Sequence, residues 1–165
     1  MNVQSTNKQK GFTIIEVVLV LAIAGLIFLM VFIALPALQR NQRDTQRRSD
    51  VSRINTQINN YQTNSRGDIP KMNEFTAGTT GFVTKYLKGS GSTADPTEYA
   101  DPSTGEGYTF KAQSGDISLA TGEIQYATDV ICGPDGVPTA ANHRNYVLRI
   151  HLEGQSSPYC IDNRS

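Results

Sequence analysis

From Phe12 to Leu35 the chain runs 24 residues, FTIIEVVLVLAIAGLIFLMVFIAL, in which only Thr13 and Glu16 are polar. As a helix this stretch is roughly 36 Å long, enough to cross a hydrocarbon core of about 30 Å. After Pro36 the pattern changes rather than stops. Val51, Ile54, Ile58 and Tyr61 recur at three- and four-residue spacing, the mark of one buried helical face. Asp44 falls in register with Arg40, Arg47 and Arg48, and Asp50 with Arg47 and Arg53, which predicts an exposed, ion-paired face. No further proline interrupts until Gly67, which follows Asn64-Ser65-Arg66 as a stop signal. The expectation is one helix from about Thr13 to Asn64, kinked at Pro36.

Residues 68–107 read as a long surface connector. Met72–Leu87 offers a short helix, and GSGSTADPTEYADPSTGEG is then punctuated by glycine, proline and acid. Beyond it the period shortens. Tyr108-Thr109-Phe110 alternates weakly, Ile124–Ile131 is rich in β-branched residues, and Tyr146, Leu148, Ile150 and Leu152 alternate with Val147, Arg149 and His151. Three or four such strands predict a small antiparallel sheet against the Val51–Tyr61 face. The fold class is α+β: a long kinked N-terminal helix packed on that sheet, without internal repeats.

With 165 residues there is room for one domain besides the apolar segment. Fourteen glycines, seven prolines and no tryptophan suit a loop-rich domain with a modest core. Fifteen basic and fifteen acidic residues leave no global positive field to argue for nucleic acid. Cys132 and Cys160 are the whole thiol inventory, and no C-x-x-C occurs. In a domain exported past a membrane span, a structural disulfide between them is expected, the alternative being two free buried thiols. Closing a loop of that separation is worth about 3–4 kcal/mol in the chain-entropy model, and would tie the tail YCIDN onto the body.

Glu16 is the anomaly of the apolar run. An acid costs about 2.5–3.5 kcal/mol at mid-membrane and less near an end, and a plain anchor has no reason to keep one. A secretory signal does not fit either, because the apolar core is too long, no A-x-A pattern follows it, and Gly11 lies before it. The segment KGFTIIE instead resembles the processing site of type IV prepilins: a basic leader ending in glycine, an aromatic first mature residue, and glutamate four residues on. Gly25 sits where such pilins often carry glycine. The resemblance extends, less specifically, along the helix to about Tyr61. Pilins of this kind usually carry their proline where this chain has Ile33, a departure that bears on where the helix bends or melts in a filament.

The resemblance implies a leader at 1–11, a transmembrane and filament-core helix at 12–35, an amphipathic continuation at 36–66, and an extracellular globular domain with a C-terminal disulfide at 67–165. A prepilin peptidase would cut after Gly11, whose lack of a side chain suits the residue before a scissile bond, and Phe12 would become N-methylphenylalanine. Gly11 is then a substrate residue and the protein no enzyme. Removing Lys8 and Lys10 with the leader leaves 13 basic against 15 acidic residues. The new amine of Phe12 has a reference pKa of about 7.7–8.0 and is mostly cationic at pH 7. Glu16, one turn away, can neutralise it or that of an incoming subunit, and in low dielectric that attraction is strong. The implied partners are further copies in a helical filament, other pilins, the peptidase/methyltransferase and a membrane assembly platform. The implied location is the cytoplasmic membrane first and an extracellular fimbria afterwards, serving adhesion, twitching motility or DNA uptake.

Ala22, Ala24 and Gly25 suit close helix packing as well as ordinary membrane residues. Arg40, Arg43, Arg47, Arg48 and Arg53 suit lipid headgroups, a subunit interface or DNA. Interleaved Asp44 and Asp50 and the absence of an aromatic platform favour a salt-bridged interface over DNA. The same arginines set a conflict, because the positive-inside count would hold the C-terminal side in the cytoplasm, whereas the leader motif and the cysteine pair require it outside. Asp95, Asp101, Glu106 and Asp116 are hard ligands in or near one acidic loop, and DPSTGEGY faintly resembles a calcium loop of secretion pseudopilins. The spacing matches no EF-hand and Asp-Pro pairs are ordinary turn formers, so no metal is expected. His143 and His151 lack partners at ligand spacing, and no catalytic constellation stands out. The rival readings are a type II secretion or competence pseudopilin and a single-span surface binding protein that never polymerises.

Overall fold

The computed structural model describes residues 11–76, 78 and 80–164. Helix α1 spans Ile14–Asn64 with Pro36 inside it, as the unbroken helical pattern foretold. The chain divides into two units, residues 1–39 and 40–165. In the first, every large apolar side chain from Phe12 to Leu38 is at least 44% exposed. Its apolar window has a mean hydropathy of 3.2 with none of it buried, so this stretch is long and apolar enough to cross a membrane.

The second unit holds the core. A 3-10 turn at Met72–Phe75 and a short helix α2 (Phe82–Tyr86) precede six strands: β1 (Thr109–Ala112), β2 (Glu123–Thr128), β3 (Val130–Cys132), β4 (Pro138–Ala140), β5 (Tyr146–Ile150) and β6 (Tyr159–Asp162). The main sheet has the order β1-β2-β5-β6, and β3 and β4 form a separate ribbon. Val51, Ile54 and Ile58 of α1 are fully buried in one cluster with Tyr126, Tyr146, Leu148 and Ile150 of the sheet. The α+β arrangement of a long helix on a small, mostly antiparallel sheet is therefore pilin-like.

Five expectations need correction. The sheet is not wholly antiparallel, since β1 runs parallel to β2. The crossover at 113–122 is held by Gln125, whose amide donates to the carbonyls of Gln113 and Gly115, both at 2.7 Å. Ile124–Ile131 is not one strand either. Asp129 adopts a left-handed φ of 61°, which turns the chain out of the main sheet and gives β3 to β4. Strand β5 is buried on both faces rather than alternating: Arg149 is covered, donating to Gln125 and to Asp116, each at 2.6 Å. The 68–107 connector is also no mere surface loop. It contributes Phe75, Phe82, Val83, Leu87, Ala94 and Tyr99 to the core, and Phe75 stacks on Tyr126 at 4.0 Å between centroids. Glycine is obligatory in this segment at Gly107, where a Cβ would lie 2.0 Å from the Ala94 carbonyl oxygen.

The fifth correction concerns the ion-paired face of α1. Asp44–Arg47 and Asp50–Arg53 do pair, at 3.1 and 3.2 Å, but Asp44, Arg47 and Asp50 are buried. Residues 44, 47, 51, 54 and 58 share one helical stripe, so the charges continue the core face toward the N-terminus. Arg47 forks onto Asp101 at 2.7 and 3.1 Å and reaches Glu153 at 2.9 Å. Asp44 accepts the backbone N–H groups of Glu153 and Gly154 at 2.9 and 2.8 Å. Glu153 in turn takes a bidentate bond from Arg43 at 2.9 and 2.5 Å. Helix and loop thus hold each other reciprocally, which is how a buried arginine is tolerated. The tail is fixed a second time by the disulfide Cys132–Cys160, with a Cα–Cα distance of 5.9 Å.

Candidate processing and assembly site

The elements of the motif lie where α1 begins. Gly11 is exposed, and a Cβ added there would meet nothing within 4 Å. Phe12 is 89% exposed, just ahead of the first helical turn. Glu16 lies in that turn, where backbone N–H groups have no intrahelical acceptor. Its carboxylate accepts the Thr13 N–H and the Thr13 hydroxyl, both at 2.8 Å. In the uncut chain, then, the carboxylate caps its own helix and is already satisfied. Thr13 was not among the expected site residues, although its position three residues before Glu16 is the spacing of a capping box.

Residues 1–10 of the expected leader, with Lys8 and Lys10, lie outside the described residues. Ala22 and Gly25 are exposed and Ala24 is half-buried.

The arginine cluster is not a free stripe. Arg43 and Arg47 are committed to Glu153, Asp44 and Asp101. Arg53 holds Asp50 and the Glu98 carbonyl and lies 4.7 Å over the Tyr99 ring. Arg48 faces the Tyr159 ring at 5.6 Å. Arg40 is exposed and makes no ion pair or side-chain hydrogen bond among the described residues.

The acidic candidates are similarly spent. Burial works to raise the pKa of Asp101, but Arg47 and the Ser103 N–H outweigh it and the value falls. Asp116 binds Arg149, and Asp95 accepts the Thr97 N–H and hydroxyl at 2.8 and 2.9 Å. Glu106 is exposed. Among the described residues no group of three or more His, Cys, Asp or Glu is placed to hold a metal ion. His143 Nδ1 lies 3.0 Å from Asp129, and His151 is half-buried.

Among known proteins, the family model described as the prokaryotic N-terminal methylation motif matches residues 6–32. The chain thus carries the prepilin-type cleavage and methylation signature, and with its α+β fold it is pilin- or pseudopilin-like. Proteins of that kind are typically structural rather than enzymatic, are processed by a prepilin peptidase, and move from the membrane into a pilus or pseudopilus. No match was found among curated proteins or among solved structures.

Proposed function

We propose that the chain is a type IV prepilin, cleaved between Gly11 and Phe12 and polymerised into a surface filament. The observation that carries this reading is the joining of the methylation motif to an apolar stretch that nothing among the described residues of its own unit covers. In water such a surface is unstable, so it needs lipid first and neighbouring helices afterwards. Apolar burial supplies most of the assembly energy. The charge pair imposes register: cleavage creates the Phe12 ammonium, and Glu16 exchanges its Thr13 contacts for that cation, its own or a neighbour's.

In the filament the globular domain faces outward, for adhesion, motility or DNA uptake. Intact mass and N-terminal sequencing of sheared surface filaments test the proposal. The expected product begins at methylated Phe12 and is two hydrogens light from the disulfide. A chain absent from the sheared fraction and still carrying residues 1–11 in membranes overturns it in favour of an anchored surface protein. Glu16→Ala is expected to abolish filaments while membrane insertion and domain stability persist.

A further inference from the structure

Four of the five arginines between residues 40 and 53 are engaged inside their own domain, which leaves Arg40 as the free one. Its position along α1 is specific. From Ile14 to Gln39, the end of the first unit, the helix rises about 38 Å, against about 40–45 Å for a bilayer including both headgroup layers. Set with its Phe12–Glu16 end at one interface, a stretch of that length would end at the opposite headgroup layer, and Arg40 follows it directly in sequence, two residues beyond Leu38, the last large apolar side chain of the first unit. Arg43 lies about one turn further on and is held by Glu153.

We propose that Arg40 binds the phosphate of a lipid headgroup and sets the depth of the span before the subunit is extracted; this rests on the membrane stage of the function proposed above. A guanidinium suits the task because its planar fork meets phosphate oxygens with two parallel hydrogen bonds. The neighbouring Gln39, Asn41 and Gln42 carry no charge, so nothing beside Arg40 competes for the headgroup. Carboxylates hold Arg43, Arg47 and Arg53, and Arg48 faces the Tyr159 ring, so of these five arginines headgroup contact is assigned to Arg40.

The test is solid-state NMR of the full chain in phosphatidylglycerol–phosphatidylcholine vesicles, with arginine guanidinium carbons labelled and no phosphate in the buffer. Dephasing of an arginine signal by lipid phosphorus is expected in the wild type, retained in Arg43→Gln and lost in Arg40→Gln. Dephasing that survives Arg40→Gln, or is absent from an inserted wild-type chain, overturns the assignment while leaving the membrane reading intact. A chain that does not associate with the vesicles overturns both.

Discussion

The two halves of α1 have the same backbone and opposite needs. Up to Gln39 the helix presents apolar side chains on all sides and contributes nothing to a core. From Arg40 onward it has one buried stripe, on which Val51, Ile54 and Ile58 meet the sheet and Asp44 and Arg47 meet two loops. Helix propensity alone does not distinguish them; what each half is packed against does. The first half awaits a solvent or partner outside the chain, whereas the buried stripe of the second already meets its partners, Asp44, Arg47 and Asp50 included. Substitutions in the two halves should therefore report on different events.

The largest difference is expected for arginine. Arg47→Ala leaves Asp44, Asp101 and Glu153 without their shared cation in a buried site, and should cost about 3–5 kcal/mol of domain stability. Arg40→Gln, which breaks no ion pair or side-chain hydrogen bond among the described residues, should stay within about 0.5 kcal/mol of wild type. Denaturant titration of the full chain in detergent, followed through the aromatic signal of the sheet domain, measures both. Equal losses in the two variants would show that the buried ionic cluster is not what holds the helix.

Isoleucine gives the next contrast. Ile54 is fully buried and Ile27 is 57% exposed. Ile54→Ala should destabilise the domain by about 2–5 kcal/mol through lost burial and the cavity left behind. Ile27→Ala should leave the same transition unmoved and instead lower filament yield. A matching loss of domain stability in Ile27→Ala would mean that the first half is packed after all.

These contrasts also mark what could be read from residues alone. The apolar run, the Gly11-Phe12-Glu16 spacing and the Val51–Tyr61 periodicity are local patterns, and each was legible. The buried Arg47 was not, because charge at helical spacing reads as a solvated face unless its partners are known. Asp101 and Glu153 lie 54 and 106 residues away in sequence. The signal was nonetheless present in the stripe 58, 54, 51, 47, 44, which continues the apolar face without a break. The parallel β1–β2 pairing and strand β6 were equally hidden, since both depend on distant partners and not on local alternation. Thr13 was legible too, since its place three residues before Glu16 is the spacing of a capping box.

The smallest effect is electrostatic and belongs only to the packed half. Hydrogen bonds from Arg43, with Ser103 and Arg47 behind it, pull the Glu153 carboxyl from its ordinary 4.5 down to about 2. A group whose folded pKa is depressed adds stability above its unfolded pKa and loses it as pH falls through the folded value. Glu153→Gln should therefore be weakest relative to wild type at neutral pH, with the gap closing between about pH 4.5 and pH 2. Asp50 has the opposite sign, because burial raises its pKa despite the hydrogen bonds from Tyr108 and Arg53. Its cost appears as pH rises through its folded value, so Asp50→Asn should gain on wild type over that rise. Stability measured against pH for the two variants should thus diverge in opposite directions. Parallel curves would show that the two carboxylates share one environment, and that the clamp at Glu153 is no stronger than an ordinary surface pair.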